Sequence, residues 1–191
     1  LLINELNHRV KNSLATVQSI ALQTFRDESQ SPALRQFECR LMALARAHDV
    51  LTRESWEGAD FEELLRDTVE AICVEPDKHF ELAGPKLRLR PKLALSFAMV
   101  FHELCTNAAK YGALSSNDGR ITIMWEILES ETGRHLSVLW KELGGPEVKL
   151  PTTKGFGSRL INRALSHEFG ARVDLAFEPS GVVCRIDTPL A

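Results

Sequence analysis

The stretch FHELCTNAAKYG, residues 101–112, predicts the central helix of the chain's second half. With the ten residues before it, this stretch has the helical periodicity of a segment spanning 91–111, and Gly112 is a natural helix stop. Five apolar residues at helical spacing predict a stripe that enters a core: Phe97, Val100, Phe101, Leu104 and Ala108. The polar residues of the helix fall beside this stripe.

Glu103, Asn107 and Lys110 occupy positions i, i+4 and i+7 of the predicted helix and therefore lie on one flank of the apolar stripe. Carboxylate and amide oxygens are hard ligands for Mg²⁺ or its water molecules, and an ammonium group pairs with phosphate. Together the three side chains suit a magnesium-bound phosphate chain. An ordinary polar helix flank is the alternative interpretation of the same residues.

The composition is that of a globular protein, with 44% hydrophobic and 26% charged residues among 191. A net charge of −3 without a dense basic run argues against nucleic acid as the main partner. No apolar run approaches the roughly 20 residues of a membrane span, and no signal peptide is visible, so we expect a cytoplasmic protein with no membrane segment. Four scattered cysteines in apolar patterns predict buried free thiols: Cys39, Cys73, Cys105 and Cys184.

The first quarter of the chain predicts a helical hairpin, which we assign to a domain at residues 1–54. Apolar residues recur every three or four positions through residues 1–27. Ser31 and Pro32 then supply the N-cap and the first position of a second helix that runs toward Leu51. Such a hairpin has little core of its own, so dimerisation into a four-helix bundle or cover by another domain must complete it.

Residues 56–191 predict a second domain of mixed helices and strands. A helix from about Asp60 to Cys73, the 91–111 helix and a helix over 155–169 alternate with strand-like runs. Those runs cover 79–82, 87–89, 119–129, 135–142, 172–177 and 182–189. The pattern predicts an α+β fold, in which helices cover one face of a largely antiparallel sheet to form an α/β sandwich.

A second constellation is WKELGGP, residues 140–146, at the end of a predicted strand. Trp140 and Glu142 share a face of that strand, and the glycines from Gly144 onward allow backbone to approach a ligand closely. A lone carboxylate here is suited to accept a hydrogen bond from the amino group of adenine. A core tryptophan followed by an ordinary turn is the alternative interpretation.

Two further segments bear on phosphate chemistry. Gly155 and Gly157 open a predicted amphipathic helix whose unpaired N–H groups and positive end attract phosphate, although glycine is common at helix starts. His8 lies roughly opposite the apolar stripe of the first helix and should face solvent. Because neutral imidazole is a good nucleophile near pH 7, His8 is either a nucleophile within reach of a second domain or a plain surface histidine.

These motifs together resemble the catalytic core of a bacterial sensor histidine kinase of the HWE family, named for a histidine in its N box and a Trp-x-Glu motif. The matches run in family order over nearly the whole chain: HRVKN at 8–12, HEL to NAAKYG at 102–112, WKELGGP at 140–146 and GFG at 155–157. Four matches at consistent spacing are far stronger than any one. The resemblance implies a phosphotransfer hairpin followed by an ATP-binding domain of the GHKL (Bergerat) type.

The resemblance also implies a role for each matching residue. His8 is the phosphoacceptor, Asn107 ligates Mg²⁺, and Glu103 supports the metal or its water. Lys110 contacts phosphate, and Glu142 stands where other histidine kinases place an adenine-binding aspartate. Three glycines are implied to lie against the nucleotide: Gly144, Gly155 and Gly157. The resemblance gives no chemical role to the family's signature histidine and tryptophan.

The residue directly after the phosphoacceptor departs from commoner histidine kinases, in which that position is acidic. Here that position holds Arg9. Glu5, Asn12 and solvent are the alternatives for the base that accepts a proton from His8.

The function implied by the resemblance is that of an ATP-dependent protein-histidine kinase, a phosphotransferase that uses ATP and Mg²⁺. It would autophosphorylate His8 and pass the phosphoryl group to an aspartate of a response regulator receiver domain. Since the chain opens in helical periodicity without an initiator methionine, we expect a fragment with a PAS, LOV or phytochrome-type sensor domain upstream. We expect a homodimer, with a monomer as the alternative. A non-catalytic nucleotide-binding dimerisation scaffold is the rival function, and an ATP-driven clamp of the gyrase kind fits the hairpin poorly.

Overall fold

The computed structural model describes residues 2–26, 31–54, 56–130, 133–148 and 165–190, with side chains from Arg9 onward. Two long helices come first: α1 (Leu2–Thr24) and α2 (Pro32–Arg53). The short connection between them and the Lys11–Asp49 salt bridge of 2.6 Å make the pair antiparallel. Helices α1 and α2 therefore form the expected helical hairpin.

The remaining elements form a sandwich of helices and sheet. In chain order they are β1 (Ala59–Asp60), α3 (Phe61–Glu70), α4 (Pro76–His79), β2 (Phe80–Ala83), β3 (Arg88–Leu89), α5 (Pro91–Tyr111), β4 (Arg120–Ser130), β5 (Gly133–Leu143), β6 (Arg172–Glu178) and β7 (Gly181–Pro189). Five strands form one sheet of order β2-β4-β5-β7-β6, antiparallel except for the parallel β2–β4 pair. β1 and β3 form a separate antiparallel pair. The predicted α+β architecture is confirmed.

The core lies between α5 and one face of the sheet. All five stripe residues predicted on α5 are at most 2% exposed. Alternate residues of β4 and β5 meet them, as strand geometry requires: Ile121, Ile123, Trp125, Leu136, Val138 and Trp140. The Phe61 ring packs edge-on against Phe97 and Trp125, with centroid distances of 5.3 Å in both pairs. α5 is therefore held rigidly along its apolar side.

The sandwich covers α2 of the hairpin but leaves much of α1 in solvent. Ala47, Val50 and Leu51 of α2 belong to the main hydrophobic core. On α1, by contrast, Val17 is 44% exposed and Ile20 is 58% exposed. The sandwich thus covers the hairpin on its α2 side, which is one of the two ways in which we expected the hairpin core to be completed.

The segment that begins at Pro76, to which the sequence assigned no element, forms the short helix α4, because proline suits the first helical position. The prediction of four buried thiols was wrong in part. Cys39 is exposed and Cys73 is only partly buried, whereas Cys105 and Cys184 are buried; all four are free thiols. In the described part of the chain, the helices lack the combination of length and hydropathy that a membrane span needs.

Candidate functional site

The polar flank of α5 lies in two different environments. Asn107 and Lys110, near the C-terminal end of the helix, are exposed. Glu103, one turn earlier, is only 4% exposed. The three residues are on neighbouring positions of one helix, as expected, but only the last two present their polar groups to solvent.

Glu103 is bound by an arginine of the hairpin. Arg40 of α2 donates from Nε to Glu103 Oε1 at 2.5 Å and from Nη2 to Oε2 at 2.9 Å. This is the two-pronged geometry by which guanidinium groups bind carboxylates most strongly. Arg40 was missed by the sequence reasoning, because it lies 63 residues away from Glu103 and no local pattern marks the contact.

His102 is buried at the same junction of α2 and α5. It is 4% exposed, and its Nδ1 atom has no hydrogen-bond partner. Burial lowers the pKa of His102, the neighbouring Glu103 carboxylate raises it, and the guanidinium groups of Arg46 and Arg40 and the ammonium of Lys110 lower it further. Neutral imidazole is therefore the favoured form of this side chain near pH 7.

Trp140 and Glu142 form one hydrogen-bonded unit with the segment that follows α5. The Trp140 indole Nε1–H donates to Glu142 Oε1 at 3.1 Å, which confirms that the two side chains share a face of β5. The backbone N–H of Ala113 donates to Glu142 Oε2 at 3.0 Å. Burial raises the pKa of Glu142, and these two donors partly oppose that rise.

This arrangement gives Trp140 the chemical role that the sequence did not supply. Its ring is fully buried and stacks on Phe101 of α5. Its N–H fixes one oxygen of the Glu142 carboxylate, and the other oxygen holds Ala113, two residues beyond the end of α5. The Trp-x-Glu pair therefore ties the end of the α5 helix to the end of β5.

The glycines around this unit are required by close packing. A Cβ atom on Gly112 would lie 2.1 Å from Glu142 Oε2. Gly144 has a φ of +74°, and a Cβ there would lie 2.7 Å from the Asp118 carbonyl oxygen. A Cβ on Gly145 would lie 2.8 Å from the Ala113 backbone nitrogen. Through these contacts the segment that follows α5 packs directly against the end of β5 and the residues after it.

The remaining predicted site residues lie partly or wholly outside the described residues. The backbone of His8 belongs to α1, but its side chain falls outside the described part. Gly155 and Gly157 also lie outside the described residues.

The donor set at the end of α5 fits part of a magnesium–nucleotide site. The Asn107 amide and the Lys110 ammonium are exposed within one helical turn, and they supply a hard oxygen ligand and a cation for phosphate. Each Glu142 oxygen accepts one hydrogen bond and keeps acceptor capacity for another. Glu103 does not fit as it stands, because Arg40 occupies both of its oxygens.

Comparison with known proteins finds a family model and several relatives that resemble this chain. Residues 5–86 match the family model described as HWE histidine kinase. A blue-light-activated histidine kinase of Brucella anthropi is 37% identical over all 191 residues. The chain is thus similar to histidine kinases over its whole length, and to the HWE family model over residues 5–86. A blue-light-activated histidine kinase of Brucella ovis is 38% identical over the same length.

The chain spans 39% of the length of these two relatives. Solved structures show the same fold at low sequence identity. The histidine kinase domain of a blue-light activated histidine kinase of Erythrobacter litoralis superimposes with a TM-score of 0.61 at 20% identity, covering 98% of this chain and 90% of that one. The Acinetobacter baumannii histidine kinase AdeS gives a TM-score of 0.54 at 15% identity, covering 96% and 98%. The sandwich is thus the GHKL-type fold of histidine kinase catalytic domains.

Proposed function

We propose that this chain is the catalytic core of an ATP-dependent protein-histidine kinase, with a phosphotransfer hairpin at residues 1–54 and an ATP-binding domain at 56–191. The observation that carries the proposal is the exposed pair Asn107 and Lys110, held at the end of a packed helix in a chain that matches the HWE histidine kinase model over residues 5–86. The two side chains have the chemistry that a magnesium-bound triphosphate needs.

Each residue has a separate task in this reaction. Asn107 holds Mg²⁺ with support from Glu103, and the bound metal neutralises phosphate charge. Lys110 orients the phosphate chain, together with Gly155 and Gly157 at the start of the helix predicted over 155–169. These groups act by positioning and by electrostatic stabilisation, since little covalent chemistry falls to the protein in phosphoryl transfer.

The base of ATP is assigned to the Trp-x-Glu region. Glu142 accepts a hydrogen bond from the adenine amino group through its remaining acceptor capacity, and Gly144 keeps the adjoining backbone close. The hydrogen bonds from Trp140 and Ala113 hold the carboxylate in one orientation.

The phosphoryl group moves to the hairpin. A ring nitrogen of His8 forms a bond to the γ-phosphorus while the bond to the bridging oxygen breaks, and ADP leaves. The imidazole proton passes to Glu5, Asn12 or solvent. The phosphoryl group is transferred next to an aspartate of a response regulator receiver domain.

The proposal also includes two partners, which are a sensor domain upstream in the full-length protein and a second copy of the chain. A sensor domain of the PAS, LOV or phytochrome type is proposed upstream, since the chain spans 39% of its blue-light-activated relatives. A homodimer is proposed through α1, where Ile20 is 58% exposed, and through Phe25 just beyond the end of α1, which is 48% exposed.

A non-catalytic nucleotide-binding scaffold is the rival function, and the engagement of Glu103 by Arg40 favours it in this conformation. Incubation with γ-labelled ATP and Mg²⁺ separates the two. A kinase gives acid-labile, base-stable label on the wild-type chain and none on His8→Ala. Nucleotide binding without any label would instead support the scaffold.

A further inference from the structure

Arg40 and Glu103 join the hairpin to the helix that carries the proposed phosphate site. We propose that this ion pair is an autoinhibitory contact, which keeps Glu103 from the magnesium site and holds that site away from His8. The proposal rests on the proposed function, since it concerns the availability of Glu103 and the reach of the nucleotide.

The first argument is electrostatic. Both Glu103 oxygens accept hydrogen bonds from Arg40, and the two side chains are 5% and 19% exposed. A magnesium ion, or a water bound to it, needs one of these oxygens. Since two cations repel each other when they share one buried carboxylate, Arg40 and the metal compete for Glu103.

The second argument is distance along the hairpin. Lys11 pairs with Asp49, so in the antiparallel hairpin the backbone of His8 lies level with the end of α2, near position 52. Arg40 lies 12 positions nearer the hairpin connection than that level, which is about 18 Å at the helical rise of 1.5 Å per residue. Glu103 is therefore about 18 Å from the level of the proposed phosphoacceptor, whereas reacting atoms must approach to about 3–3.5 Å.

The direction of α5 makes this separation larger for the phosphate-binding residues. Ala98 of α5 lines a small cavity with Ala43 and Ala47 of α2, whereas Glu103 lies against Arg40. α5 thus runs toward the hairpin connection as it approaches its C-terminus. Asn107 and Lys110 follow Glu103 and lie still farther from the level of His8.

Release of the ion pair would change both the availability of Glu103 and the position of the sandwich on the hairpin. Glu103 would become free for the metal, and the sandwich could move along the hairpin. The resting chain then binds magnesium–ATP only through its released fraction, so the apparent affinity is reduced by that fraction.

The test uses three variants and a matched control. Arg40→Met removes the charge, Arg40→Lys keeps it without the two-pronged geometry, and Glu103→Gln weakens the pair from the other side. Arg53→Met is the control, because Arg53 also links α2 to the sandwich, through Asp67 at 2.7 Å, but touches no site residue.

The first readout is the distance between spin labels introduced by Gln23→Cys on α1 and Glu126→Cys on β4, both exposed positions. Cys39 and Cys73 are replaced by serine, whereas Cys105 and Cys184 are buried and stay unlabelled. The second readout is the dissociation constant for magnesium–ATP, and the third is the rate of label transfer from γ-labelled ATP.

The wild type and Arg53→Met should give one narrow distance distribution. Arg40→Met and Glu103→Gln should both add a second, displaced population, with Arg40→Lys intermediate. Arg40→Met should bind magnesium–ATP about 3- to 10-fold more tightly and incorporate label faster than wild type.

An unchanged distance distribution in Arg40→Met or Glu103→Gln would contradict the proposal that the ion pair holds the sandwich in place. Unchanged or weaker nucleotide binding in Arg40→Met would contradict the proposal that the pair is inhibitory. If Arg40→Met does not fold, Arg40→Lys decides by the same two readouts. If no variant binds magnesium–ATP, the proposed function fails, and the distances still decide whether this pair holds the two parts together.

Discussion

The indole N–H of Trp140 donates to the carboxylate of Glu142, two residues along the same strand, at 3.1 Å. The other carboxylate oxygen accepts from the Ala113 N–H, two residues beyond the end of α5. A buried carboxylate with one donor on each oxygen has a fixed plane and a fixed position. Trp140, Glu142 and Ala113 thus form one structural clamp between the end of β5 and the segment after α5.

Trp140→Phe tests the clamp, because it keeps a ring in the core and removes the N–H. We expect a loss of about 2 kcal/mol in the free energy of unfolding, as for hydrogen bonds to charged groups, and weaker ATP binding. Discrimination of ATP against GTP should fall as well, since Glu142 would no longer be held in one orientation. Chemical denaturation and nucleotide titration measure these effects, and unchanged base discrimination would separate Trp140 from adenine recognition.

Gly112→Ala tests the packing of the clamp against the end of α5. The φ of Gly112 is −118°, which any residue adopts, so the cost comes from the 2.1 Å approach of the new Cβ to Glu142 Oε2. We expect destabilisation of about 1–3 kcal/mol from overpacking, together with loss of nucleotide binding.

Gly133→Ala is the control for that experiment. A Cβ on Gly133 meets nothing within 4 Å, but its φ is +114°, so only backbone strain of about 1 kcal/mol should result. Nucleotide binding should be retained in this variant. Equal loss of binding in the two variants would show that general destabilisation, and not the clamp, is responsible.

His102 predicts how stability depends on pH. Burial lowers its pKa below the usual 6.5, so the unfolded chain takes up a proton at a higher pH than the folded chain does. The stabilisation is complete above about pH 6.5 and is lost as the pH falls from there through the folded-state pKa.

His102→Gln should reduce the difference between stability at pH 7 and at pH 5, while every other titrating group is common to both proteins. His48, whose pKa is also lowered by burial, is among those common groups. Urea denaturation at a series of pH values measures the two profiles. Parallel profiles would mean that His102 does not titrate between the folded and unfolded states.

Local patterns in the sequence predicted the core of α5 but not the contacts of its polar flank. Phe97, Phe101 and Leu104 are buried as their spacing required, because helical periodicity depends on near neighbours alone. The ion pair of Glu103 with Arg40 could not be predicted, since it depends on where α2 packs against the sandwich. Arg40 looks like any other charged residue on an amphipathic helix.

The site at the end of β5 shows the same division. The shared face of Trp140 and Glu142 follows from the two-residue period of a strand. The Ala113 N–H that binds the second oxygen comes from a different element, brought there by the register of the sheet and the length of α5. Cys39 was misplaced for a related reason: an apolar neighbourhood in sequence does not specify which side of α2 is covered.

Transfer of phosphate to His8 tests the central claim most directly. The chain is incubated with ATP and Mg²⁺, and its phosphorylated position is mapped by tandem mass spectrometry at neutral to alkaline pH. We predict phosphohistidine at His8 in the wild type. None is expected in Asn107→Asp, which keeps the shape of the side chain but replaces an amide ligand by a second carboxylate, and which should remain folded. Absence of modification at His8 in the wild type, or normal modification in folded Asn107→Asp, would contradict the account.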